Sequence, residues 1–129
     1  MVPDRGLGGG PSRADERLLR QRRVRKRADY LAIQGHGRRL AGTHYLVFAR
    51  PRADGAAGWR LGITVSRKVG NAVARNKVKR WIRESCRRMQ SQLPAGVDMV
   101  VVARPSAAGA GYGPTARELA TLARRLNAR

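Results

Sequence analysis

The stretch Arg60–Arg88, RLGITVSRKVGNAVARNKVKRWIRESCRR, constrains this chain most, because its hydrophobic period changes from 2 to about 3.6 across a single turn. Leu61, Ile63 and Val65 alternate with Arg60, Gly62, Thr64 and Ser66, which predicts a strand with one apolar face and one small, polar face. Val69-Gly70-Asn71 then reads as a turn, since Gly and Asn tolerate the backbone angles of a sharp reversal. Beyond it, Val78, Trp81, Ile82, Ser85, Cys86 and Met89 fall on one side of a helix and Lys79, Arg80, Arg83, Arg87 and Arg88 on the other. A strand, a basic turn and a cationic helix in succession make a surface suited to folded polyanions.

The flanks supply the remaining elements. Residues 1–20 contain Gly8-Gly9-Gly10-Pro11 and no regular period, so they are expected to form a flexible tail, with one domain over residues 21–129. Arg20 to Arg27 is a dense cationic run, the usual signature of a solvated arm. Ala28 to Gln34 predicts a short helix carrying Tyr30, Leu31 and Ile33, with Asp29 near its positive end, and Gly35-His36-Gly37 stops it. His36, alone between glycines, reads as a loop histidine, with RNA contact as the next possibility. Strands follow around Leu40 and over THYLVFAR, where Tyr45 and Val47 face one way and Leu46 and Phe48 the other. With both faces apolar, that strand is either covered twice or covered once and binding something on its other side. A hairpin through Pro51–Gly58 is expected to return along the Arg60 strand. Later, Val97–Ala103 predicts a well-covered strand, Ser106–Gly113 a small-residue loop, and Thr115 with Glu118 a capping box opening the last helix. The resulting class is α+β, a single-domain sandwich of one sheet with helical cover.

The formal net charge is +20, from 28 Lys and Arg against 8 Asp and Glu. Such an excess repels itself in the compact state and implies an anionic partner, and the dominance of Arg favours phosphates and bases. A single cysteine, Cys86, excludes an internal disulfide framework and a Cys-rich zinc site, and its place on the apolar side of a helix predicts a buried small hydrophobe. No apolar run approaches membrane-spanning length, so a cytoplasmic protein without membrane partners is expected.

No catalytic constellation is visible. The acids are scattered, with no acid/base couple, no Ser-His-Asp or Cys-His arrangement and no His-based metal spacing, so neither catalytic nor metal-ligating residues are assigned. A two-metal nuclease would need several carboxylates converging. Binding is better supported. Arg67 and Lys68 leave the strand, the amides of Gly70 and Asn71 are expected to be available, and Arg75 opens a helix, the ingredients of a phosphate site. The bland reading is an amphipathic helix with a solvated basic face. Against it, Glu84 is the only acid on that face, and the cations continue into the turn. Tyr30 and Phe48 are candidates for stacking on bases or, equally, core aromatics.

The run Val65-Ser66-Arg67-Lys68-Val69-Gly70-Asn71-Ala72-Val73, with Arg75-Asn76-Lys77-Val78-Lys79-Arg80 and Arg83-Glu84, closely resembles the signature of the bacterial ribonuclease P protein component. Arg25-Lys26-Arg27, Asp29-Tyr30, Gly37 and VDMVVVARP resemble that family's flanking elements, so the resemblance spans roughly Arg20 to Leu126. It implies an α-β-β-β-α-β-α fold with one mixed sheet, like the second domain of ribosomal protein S5, and a left-handed crossover through the basic helix. It also implies a subunit that binds a catalytic RNA and the 5′ leader of precursor tRNA, the RNA and its Mg2+ cleaving the leader. By position, Arg67, Lys68, Asn71, Arg75, Asn76, Lys77, Lys79, Arg80 and Arg83 correspond to the surface for the catalytic RNA. Tyr30, Leu46, Phe48 and Ser66 correspond to the leader cleft. Lys77 stands where the family usually has Arg, which removes a bidentate fork but keeps the charge. Gln34 stands where many members have a second aromatic. The alternatives, in falling order, are a ribosomal or ribosome-assembly protein, a helix-turn-helix DNA binder and a self-sufficient metal nuclease.

Overall fold

A computed structural model of the chain describes residues 22–24 and 27–128. Expectations for the 1–20 tail, for Arg25 and Lys26 and for the His36 side chain fall outside the described residues. Helix α1 (Arg27–His36) leads into strands β1 (Arg38–Ala41), β2 (Tyr45–Pro51) and β3 (Arg60–Thr64). Helix α2 (Ala72–Arg88), strand β4 (Val97–Ala103) and helix α3 (Tyr112–Ala128) complete the order. This is the expected α-β-β-β-α-β-α succession with a mixed sheet.

The sheet order is β1-β2-β4-β3, so β2 and β3 do not form the expected hairpin. Strand β4 lies between them, antiparallel to β2 and parallel to β3. Its run VDMVVVA is buried at every position but its first and sixth, as a central strand requires. The Arg52–Trp59 connection therefore spans the start of β4 and is tied there. The Arg52 amide donates to the Gly96 carbonyl at 2.9 Å, and the Gly96 amide donates to Ala57.

One sheet face carries Leu40, Tyr45, Val47, Leu61, Met99 and Val101 against Val78, Ile82 and Cys86 of α2 and Leu119, Leu122 and Leu126 of α3. Helix α2 buries Val78, Ile82, Ser85 and Cys86, as its 3.6 period predicts. Burial pushes the Cys86 thiol up to about 12, so at neutral pH it is an un-ionised apolar filler. The opposite face packs a smaller cluster of Val24, Ile33 and Val100 with half-buried Tyr30, Phe48 and Val102. Helix α1 thus covers only part of the second face.

Three local expectations give way to tertiary structure. Helix α3 begins at Tyr112, not Thr115, and residues 105–109 form a 3-10 turn where a loop is expected. Thr115 is fully buried, its Oγ1 hydrogen-bonded to the Tyr45 hydroxyl at 2.7 Å. Instead of closing a capping box, Glu118 accepts from the His44 amide at 2.9 Å and the Tyr45 amide at 2.8 Å, fixing the β1–β2 turn. The middle of the cationic run, Arg22–Val24, is not a free arm either. The Leu61 amide donates to the Arg22 carbonyl at 2.6 Å, and the Val24 amide donates to the Leu61 carbonyl at 2.9 Å. Val24 is buried, and the Arg22 guanidinium lies 5.1 Å from the Trp59 ring centroid. This short parallel bridge caps the β3 edge that would otherwise be open.

Candidate nucleic-acid interface

The turn between β3 and α2 is closed by its own groups. The Val69 amide donates to Ser66 O at 3.1 Å, the Gly70 amide to Arg67 O at 3.2 Å and the Lys68 amide to Ser66 Oγ at 3.3 Å. The Gly70 amide, expected to face a ligand, is therefore spent within the turn. Gly70 has φ 155°, and a Cβ there would sit 3.0 Å from the Ala74 methyl, so the tight entry to the helix calls for glycine. The Asn71 side chain accepts from the Ala74 amide at 2.9 Å and is the N-cap of α2. What the turn presents outward is the exposed pair Arg67 and Lys68.

From that cap, α2 projects a continuous exposed stripe of Asn76, Lys77 and Arg80, continued by Arg83. Lys79 and Arg75 are half-buried beside it, and the Arg75 Nε is enclosed without a hydrogen-bond partner among the described residues. The same is true of ion pairs: among the described residues none involves Arg67, Lys68, Arg75, Lys77, Lys79, Arg80 or Arg83. The last turn of the helix is different. Glu84 binds Arg87 at 2.5 Å and Arg88 at 3.4 Å, and the Arg87 hydrogen bond in particular holds the Glu84 carboxyl below its ordinary range. Glu84 thus divides the helix into a cationic part without acidic partners, Arg75–Arg83, and an end whose two arginines share one carboxylate.

A groove of about 170 Å³ runs between the N-terminal segment, α1 and α2, lined by Arg23, Tyr30, Leu61, Ile63, Lys79 and Arg83. Desolvation, then the charge of Arg23, pulls the Arg83 guanidinium below its ordinary value. Two facing guanidiniums and an ammonium form a concave cationic site with an aromatic wall, and an anion placed there would relieve their repulsion. Arg23 escapes sequence reasoning because it sits in a uniform charge run. The one signal is Val24, a single apolar residue interrupting that run.

The second surface is the sheet face beside α1. Register places Thr64, Val102, Leu46 and Ala41 in one row and Gly62, Val100, Phe48 and Arg39 in the next. Leu46 and Phe48 are half-buried here, on the face away from α2 and α3. Tyr30 joins them from α1. A Cβ on Gly62 would meet its ring at 2.7 Å, and its hydroxyl accepts from the Ile63 amide at 3.3 Å. Gly62 therefore makes room for the Tyr30 ring, and Tyr30 is a fixed wall of the cleft. Tyr30 and Phe48 pack against one cluster, and Leu46 lies on the same sheet face one row away. Ser66 is not brought into the same wall, since its Oγ folds back onto the turn.

The next row closes the cleft floor. Asp98, with no exposed surface, receives Arg60 Nε at 2.7 Å and Arg60 NH2 at 2.8 Å, a two-pronged pair in which the carboxylate is a structural partner. Asp98 fills the role of a partnered carboxylate in an apolar strand. Among the described residues there is no group of three or more His, Cys, Asp or Glu that could hold a metal ion, and no helix long and apolar enough to cross a membrane.

The family model described as Ribonuclease P matches residues 18–127. The ribonuclease P protein component of Desulfovibrio desulfuricans is 45% identical over 111 residues, covering 84% of this chain and 85% of its own length. That of Oleidesulfovibrio alaskensis is 48% identical over 85 residues, covering 66% and 68%. Among solved structures, the RNase P protein of Thermotoga maritima superposes with a TM-score of 0.73 at 36% identity, over 80% of this chain and 96% of that one. The Staphylococcus aureus RNase P protein does so with 0.75 at 33% identity, over 81% and 94%. The family model over residues 18–127, the identities and coverages of the relatives and the superpositions agree, and the chain belongs to the bacterial ribonuclease P protein component family.

Proposed function

We propose that this chain is the noncatalytic protein subunit of a tRNA-processing ribonucleoprotein, working in the cytoplasm on precursor tRNA. The α2 stripe with the Arg67-Lys68 turn grips the catalytic RNA, and the cleft between α1 and the sheet holds the single-stranded 5′ leader. The observation that carries this reading is the absence of acidic partners for Arg75–Arg83 among the described residues, next to a helix end where Glu84 pairs with Arg87 and Arg88. A folded domain that keeps a block of cations uncompensated is arranged for an external polyanion.

The two surfaces suit different strands. The helical stripe has charge, hydrogen-bonding capacity in Asn76 and little concavity, which fits the backbone of structured RNA. The cleft, with Tyr30, Phe48 and Leu46, suits unpaired bases, and the cationic groove at Arg23, Lys79 and Arg83 lies beside it to hold phosphates. Magnesium brought by the RNA would supply the activation of water for hydrolysis. This chain offers no carboxylate cage for it among the described residues.

Replacing Lys77 and Arg80 together by Ala is expected to weaken catalytic-RNA binding and to flatten its dependence on log[salt]. The flattening should amount to roughly 0.7–0.9 per lost phosphate contact. Binding isotherms at several salt concentrations check it, and an unchanged slope would remove the stripe from the interface.

A further inference from the structure

The cationic stripe begins with a residue of the wrong chemistry for a solvated charge face. Val73 is 65% exposed, one of two large hydrophobics that are exposed among the described residues. At positions i, i+3, i+4 and i+7 it shares a helix face with Asn76, Lys77 and Arg80, all exposed. It sits in the first turn of α2, two residues after the Asn71 cap, where a β-branched residue is a poorer helix former than Ala. Neither helix propensity nor core packing accounts for an exposed isopropyl side chain at this position.

We infer that Val73 is an RNA-contacting residue that packs its methyls on a ribose or base face of the catalytic RNA, setting the register in which Asn76, Lys77 and Arg80 meet the backbone. The inference rests on the reading of α2 as the catalytic-RNA interface. RNA exposes such apolar surface in its wide, shallow minor groove, where ribose carbons lie beside 2′-hydroxyls that an amide such as Asn76 can reach. Cations on the same stripe bring the phosphates close. Val73 then excludes water from the contact, and its branched shape resists sliding along the groove. Charge complementarity of the flanking residues selects RNA as the occupant over an apolar protein surface, which four outward cations in Lys77, Arg80, Arg83 and Arg67 would disfavour.

The test measures affinity for the catalytic RNA and thermal stability for Val73→Ala, Val73→Ile and Val73→Thr, with Lys77→Ala as reference. Loss of an apolar contact predicts weakening of roughly fivefold to fifteenfold for Val73→Ala, from about two buried methyl groups. Val73→Thr, nearly isosteric but polar, should weaken binding too, and Val73→Ile should retain it. The salt slope should stay at the wild-type value in all three, because no phosphate contact is removed, while Lys77→Ala flattens it. Thermal stability of Val73→Ala should be equal or slightly higher, since Ala favours the helix. Unchanged affinity for Val73→Ala alongside a flattened slope for Lys77→Ala overturns the role of Val73 and leaves the interface standing. Unchanged affinity and slope for Lys77→Ala overturns the interface itself.

Discussion

Replacing Asp98 by Ala is expected to cost about 3–5 kcal/mol of folding stability, the usual penalty for leaving one member of a buried ion pair alone. The carboxylate is fully enclosed and takes both prongs of Arg60. On the other side of β4, Arg50 stands opposite Asp98 in register, with its Nε enclosed and unpartnered among the described residues. Removing Asp98 leaves two guanidiniums flanking an empty site in a protein that already carries +20. Domains of this size have about 5–15 kcal/mol in total, so the variant should be largely unfolded at modest denaturant. Urea or guanidinium midpoints measure it. Replacing Arg60 by Met and Asp98 by Leu together should recover much of the loss. A cost for Asp98→Ala below about 1 kcal/mol would mean that the pair is solvated and the cleft floor is not fixed as described.

The second large effect belongs to the cleft. Phe48→Leu keeps apolar volume in the cluster with Ile33, Val100 and Tyr30 but removes the aromatic face. It is expected to cost about 1–3 kcal/mol in holoenzyme affinity for leader-bearing precursor tRNA if the ring stacks on a base. Mature tRNA, lacking the leader, should bind the variant and the wild type equally. Equal losses for both would assign Phe48 to the core. Tyr30 is less informative as a first variant, because its ring fills the space over Gly62 and its hydroxyl holds the β3 edge, so changing it disturbs the fold as well.

Local periodicity made the element order and the two sides of α2 legible in the sequence, because each rests on residues within a few turns of one another. Val78, Ile82 and Cys86 are buried as their spacing requires, and Leu46 and Phe48 face away from Tyr45 and Val47. Strand pairing is decided at long range and was not legible. β2 and β3 look like a hairpin because they are consecutive, yet the more apolar β4 takes the central place between them and leaves β3 with one edge. That edge is covered by Arg22–Val24, a job hidden in a run of like charges. Thr115 and Glu118 have the spacing of a capping box, but Glu118 satisfies two amides more than 70 residues earlier in the chain. In the site, the cations are visible as composition. The limit set by Glu84 at Arg87 and Arg88 needs side-chain geometry, and so do the diversion of Ser66 and Asn71 into the turn and the cap.

These placements share one consequence. The cleft acid Asp98 is consumed by Arg60, the helix acid Glu84 by Arg87 and Arg88, and Glu118 of α3 by backbone amides, so these three described acids are structural. The most direct measurement incubates precursor tRNA at low magnesium with the protein alone, with the catalytic RNA alone and with both. The expected result is no cleavage by protein alone, weak cleavage by RNA alone and a large gain when the two are combined. Cleavage by the protein alone, or no gain on adding it to the RNA, would contradict a noncatalytic subunit that works by holding RNA and leader.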